Sequence, residues 1–123
     1  MSDDATRNAH LLSGLCLCMG LLHFVKPEPF DGLIPSKLPG SPRFWTLASG
    51  VAEIATGTLL AVPSTRRLGG LAAQALFVGV FPGNLKMAKD SREASLPVRV
   101  ISLARLPLQA DLIRRARMVS GQE

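Results

Sequence analysis

Apolar residues in this chain run in long blocks separated by clusters of Pro, Lys and Arg. A helix with one wet face would instead show a polar residue every third or fourth position. The blocks predict four helices, at about residues 9–25, 43–62, 67–88 and 94–114. Asn8 is the expected cap of the first helix, and Pro27 with Pro29 ends it. Ser41 followed by Pro42 predicts the start of the second, as a cap with proline in the first helical position. The basic turn Pro63-Ser-Thr-Arg-Arg67 is short enough to make the second and third helices antiparallel neighbours. In the third, Pro82 predicts a kink, and Gly79 with Gly83 has the spacing that permits close helix approach.

Between the first two helices lies Lys26-Pro-Glu-Pro-Phe-Asp-Gly-Leu-Ile-Pro-Ser-Lys-Leu-Pro-Gly-Ser-Pro42. Proline is too dense there for a helix interior, yet Phe30, Leu33, Ile34 and Leu38 are apolar. The segment reads as a structured loop lying on or dipping into a membrane interface. The expected architecture is therefore all-α: a single domain over residues 1–123, folded as an up-down-up-down four-helix transmembrane bundle with a Pro-rich loop.

One charge breaks the second block. Glu53 is central in the run 44–62 and is its only charged residue. Nineteen helical residues span about 28 Å, near the hydrocarbon thickness of a bilayer. A carboxylate at that depth costs roughly 2.5–3.5 kcal/mol on insertion scales, so it requires a partner, a proton or a task. Arg105, within Val100-Ile-Ser-Leu-Ala-Arg-Leu-Pro-Leu108, is the expected partner at matching depth. Ser102, Arg105 and Gln109 share one side of the fourth helix at 100° per residue. That side is expected to face Glu53 and form a polar core. The fourth helix also holds Arg99, Asp111 and Pro107; its alternative reading is an amphipathic interfacial helix. The Glu53/Arg105 pair reads either as glue for the bundle or as the lining of a pocket for a polar head, such as a quinone or a small anion.

His23, Asn84, Trp45 and Arg99 are expected at one membrane face, ringing a pocket mouth beneath the loop, with Lys86 beside them. A histidine there could move protons, or could simply bond a loop carbonyl.

Composition changes this picture little. The net charge of +5 raises nucleic acid as a partner. The basic residues sit at the ends of apolar runs, where they serve topology and headgroup contact, so nucleic acid is excluded. Cationic residues divide six and six between the two expected faces, and orientation stays open. Cys16 and Cys18 point about 200° apart on a helix and read as apolar fillers. Neither a metal cluster nor a nucleophilic triad or P-loop is spaced in the sequence. The opening residues, with two acids and one base before residue 8, lack a positive n-region, so the first helix is expected to be retained.

Taken in order, Gly-Leu-Leu-His23-Phe24, Pro29-Phe30 with Ile34-Pro35, Ser49-Gly50-Val-Ala-Glu53, Leu-Leu-Ala-Val-Pro63-Ser-Thr-Arg66-Arg67, Phe81-Pro82-Gly-Asn84 and Arg105-Leu-Pro107-Leu-Gln109 resemble DoxX-like membrane proteins over residues 10–115. The resemblance implies a four-helix bundle in a bacterial plasma membrane, with Glu53, Asn84, Arg105 and Gln109 at motif positions. That family is named for a subunit of a thiosulfate:quinone oxidoreductase. Its members are linked to complexes with sulfur-handling and oxidant-defence enzymes. The implied role is an integral membrane subunit with no catalysis of its own, anchoring a soluble oxidoreductase or sulfurtransferase. The alternatives are a quinone- or lipid-binding redox subunit and a small-solute permease built as a homo-oligomer.

Overall fold

The computed structural model describes residues 2–121 and is helical throughout, with no strand among the described residues. In chain order the helices are α1 (Asp3–Val25), α2 (Glu28–Asp31), α3 (Pro42–Ala61), a 3-10 turn (Pro63–Thr65), α4 (Arg66–Gly79), α5 (Phe81–Asp90) and α6 (Leu96–Ser120). Three runs are long and apolar enough to cross a membrane: Asp3–Val25, Pro42–Ala61 and Pro63–Asp90. Leu21, Val25, Phe44, Val51, Leu68 and Val78 on these runs are exposed, as surfaces in contact with lipid would be. Helix α6 is 25 residues long but carries too many charges to stand with them.

Helix α1 starts earlier than its apolar run. Ser2 is the cap and accepts from the Ala5 amide at 3.1 Å, with Asp3 and Asp4 in the first turn where the helix dipole favours acids. Asn8 is therefore not a cap. It is buried, its Oδ1 accepting from Arg115 Nη1 at 2.6 Å, which ties the start of α1 to the end of α6. Arg115 and Arg114 also reach Asp111 at 2.8 Å each.

Helix α3 begins as its sequence predicts, with the Ser41 hydroxyl accepting from Phe44 N–H and Pro42 in the first turn. At its other end the last carbonyls lack amide partners, and side chains supply donors. Thr65 Oγ1 donates to Leu59 O at 2.8 Å, and Arg66 donates to Leu60 O at 2.9 Å and Ala61 O at 3.0 Å.

Glycine decides how closely α1 and α3 approach. A Cβ on Gly20 would lie 2.9 Å from Gly50 O, and one on Gly50 would lie 2.9 Å from His23 Cβ. A Cβ on Gly57 would meet Leu17 and Ser13, so the chains run antiparallel. Any larger residue at these points would push the helices apart. The Gly79/Gly83 spacing has no such role: a Cβ at Gly79 meets nothing within 4 Å, and one at Gly83 meets only the loop residue Leu33.

The expected third helix is broken. α4 ends at Gly79 and α5 starts at Phe81, with Pro82 in its first turn. Proline lacks an amide hydrogen and its ring clashes with the carbonyl four residues back, so the helix restarts there. Pro107, by contrast, sits within an unbroken α6.

The close-packed core lies towards the Pro63–Thr65 end. Ala9, Leu12, Cys16, Leu60, Ala73, Phe77, Ala116 and Val119 form it, drawn from α1, α3, α4 and α6. The other end, beneath the Pro-rich segment, is hollow.

Candidate functional site

The hollow is a cavity of about 700 Å³. Its walls are mostly apolar, with Leu15, Met19, Phe30, Ile34, Leu76, Phe77, Leu108 and Leu112 among them. Glu53, Arg105, Gln109, His23, Asn84 and Trp45 all line it. The structure thus brings six of the eight expected site residues to one space. Ser102 and Arg99 are not part of it; they line a separate pocket of about 210 Å³ between α5 and α6, where Ser102 Oγ donates to Arg99 O. The polar side of α6 is split because Ser102 lies two turns from Gln109 and meets a different neighbour.

Glu53 and Arg105 form no ion pair. Glu53 Oε2 instead lies 3.4 Å from His23 Nδ1. That separation makes an ion pair when the ring is protonated, and Nδ1 also lies 2.5 Å from Met19 O, one turn back on α1. Glu53 is only 8% exposed, and its Oε2 is buried with no hydrogen-bond partner among the described residues. Arg105 is half-buried and has no hydrogen bond or ion pair among them either. Glu53 and Arg105 therefore line one cavity without pairing with each other, and the ionisable group beside Glu53 is His23.

Gln109 is 3% exposed and joins three helices. It donates through Nε2 to the Phe77 carbonyl on α4 and accepts through Oε1 from Asn84 Nδ2 on α5. The break at Val80 is what opens that carbonyl to a side chain, so the proline-induced break and the glutamine belong together.

The Pro-rich segment closes over the hollow. Phe30 of α2 stacks on the His23 ring, centroids 3.9 Å apart. Asp31 is the clasp: its carboxylate accepts from Thr46 Oγ1 at 2.6 Å and Arg43 Nε at 3.0 Å, both at the start of α3. Trp45 Nε1 donates to Pro39 O at 2.6 Å, and Lys86 Nζ donates to Gly32 O at 3.0 Å. Sequence reasoning missed Phe30, Asp31 and Thr46 as parts of the site. Phe30 and Asp31 carry a legible hint, an aromatic and an acid in a loop too apolar for a linker; Thr46 carries none.

The Thr46 hydroxyl, and then Arg43, hold the Asp31 carboxyl below its ordinary value of 3.8. A carboxyl whose folded value is depressed contributes stability above its unfolded value, and that contribution is lost as pH falls through the folded value. The clasp is thus intact at neutral pH and opens in acid below about 4. Amide exchange over residues 27–38 is expected to accelerate in that range, and Asp31→Asn is expected to give the fast exchange at neutral pH. Exchange that is unchanged in the variant at pH 7 would remove Asp31 as the clasp.

Residues 12–120 match a family described as a domain of unknown function, DUF8561. The chain belongs to DUF8561. The DUF8561 match takes in every residue lining the cavity, from Leu15 to Leu112. No curated protein and no solved structure matches the chain.

Proposed function

We propose that this DUF8561 protein is a multi-pass integral protein of the bacterial plasma membrane that binds a small apolar molecule with a polar head, quinone-like or lipid-like, inside a four-helix bundle. The observation that carries this is the cavity: about 700 Å³, mostly apolar, with a few convergent polar groups. Those are the usual marks of a small-molecule site, and bundles hold theirs between helices. The bundle is α1, α3, the α4–α5 rod and α6, in up-down-up-down order. α6 serves as the fourth span because Arg105 and Gln109 turn towards the cavity and Asp111 is paired with Arg114 and Arg115. The DoxX-like order of motifs supports the same arrangement and supplies the outer part of the reading, a membrane subunit that presents its ligand to a soluble redox or sulfur-handling enzyme.

Trp45 is the one tryptophan of the chain and it lines the cavity, so it reports occupancy directly. Purified protein in lipid nanodiscs, titrated with a decyl-substituted benzoquinone, is expected to show saturable quenching at one molecule per chain. Gly79→Leu, at a lining glycine with open space around it, is expected to weaken that quenching. Quenching that rises linearly with lipid-partitioned quinone in both proteins would overturn the proposal.

A further inference from the structure

We propose that the smaller pocket, between α5 and α6, seats the phosphate of a phospholipid whose head carries net negative charge. This rests on the reading of α6 as a membrane span and is independent of what the larger cavity holds. The pocket, about 210 Å³, is lined by Ala88, Ser91, Arg92, Arg99, Ser102 and Leu103. Two of the six are arginines and none is an acid. Neither guanidinium makes a hydrogen bond or ion pair with any described residue. Ser102 Oγ is committed to Arg99 O at 3.0 Å, whereas the Ser91 hydroxyl is uncommitted. The carboxylates close by in sequence leave the two arginines unneutralised. Asp90 is held by Lys86 Nζ at 2.7 Å, and neither it nor Glu93 lines the pocket. Two like charges on one small pocket repel, and an anion between them turns that repulsion into attraction.

The donors select the anion. Each guanidinium offers paired N–H groups that match two phosphate oxygens, and the Ser91 hydroxyl adds a further donor. Position in the fold selects the source. Ser91 and Arg92 follow directly on the apolar run Pro63–Asp90, which puts the pocket at headgroup height. Leu96, Val100 and Leu103 share one face of α6 with Arg99 at 100° per residue, and all three are exposed. An acyl chain laid along that stripe leads from the two arginines into the bilayer; a free phosphate would leave the stripe bare. A zwitterionic head brings its own ammonium to the arginines together with its phosphate, so a net-anionic head is favoured.

The test is native mass spectrometry of the delipidated protein in a non-ionic detergent, titrated with dioleoylphosphatidylglycerol, dioleoylphosphatidylcholine or sn-glycerol 3-phosphate. One phosphatidylglycerol per chain is expected to bind at least about tenfold more tightly than phosphatidylcholine or glycerol phosphate. Arg92→Gln with Arg99→Gln is expected to bring phosphatidylglycerol down to the level of phosphatidylcholine. Both side chains are exposed and unpartnered, so the double variant is expected to unfold at the same temperature as the parent. Arg67→Gln with Arg117→Gln removes the same charge from exposed positions at the other end of the bundle and is expected to leave the preference intact. Equal binding of the two lipids would overturn the proposal. So would a preference that survives the Arg92/Arg99 change, or one that falls equally with Arg67/Arg117, since either would trace it to charge elsewhere or to overall charge. Glycerol phosphate binding as tightly as phosphatidylglycerol would overturn the lipid as the source. Quinone quenching of Trp45 is expected to be unchanged in the Arg92/Arg99 variant, so failure here and failure at the larger cavity are read separately.

Discussion

Glu53→Leu is expected to stabilise the unliganded protein by about 1–3 kcal/mol, the cost of a buried polar group left unpaired. Leucine matches the glutamate closely in volume and leaves no acceptor in the helix interface. The expectation follows from Oε2 being buried with no hydrogen bond, 3.4 Å from a histidine Nδ1 that also lies 2.5 Å from Met19 O. A central Glu53–Arg105 ion pair would predict the opposite, since breaking a buried pair costs about 3–5 kcal/mol. Thermal unfolding in detergent of the two single leucine variants and the double variant separates these readings. The geometry gives a coupling near zero between positions 53 and 105 and a stabilised Glu53→Leu single variant. A coupling above about 1 kcal/mol would mean that the two side chains do meet.

Gln109→Leu is expected to have the largest destabilising effect of any single change at the site. It strands the Phe77 carbonyl and the Asn84 amide, two buried polar groups, at about 1–3 kcal/mol each. The cost lands where the helix is already broken, so the loss should concentrate in α4 and α5. Hydrogen exchange of residues 74–88 is the measurement, with residues 9–20 of α1 as the reference. Uniform acceleration over both regions would show that Gln109 holds the whole bundle and not the break.

Much of this architecture can be read from the residue pattern. The apolar blocks place the three long helices to within a few residues at most ends, and Ser41-Pro42 marks the start of α3 in both sequence and structure. The start of α1 was misplaced because Asp3, Asp4 and Arg7 read as polar coil, while Ser2 and the helix dipole make them an ordinary first turn. Periodicity also brought Arg105 and Gln109 to the same wall as Glu53. It could not separate Ser102 from them, since which side of α6 meets α5 depends on the break at Val80. Nor could matching depth alone reveal that Glu53 and Arg105 stay apart. Depth fixes height in the bundle, whereas a contact also requires helix rotation, and that is set by glycine contacts between α1 and α3 that turn Glu53 towards His23.

The division of the bundle into a filled half and a hollow half makes the protein one-sided. Leu12, Leu60, Ala73, Ala116 and Val119 are wholly buried towards the Pro63–Thr65 end. On the proposed reading, a guest enters from beneath the Pro-rich segment and leaves the same way. That reading makes the protein a device that receives, holds and hands over its guest on one face of a membrane.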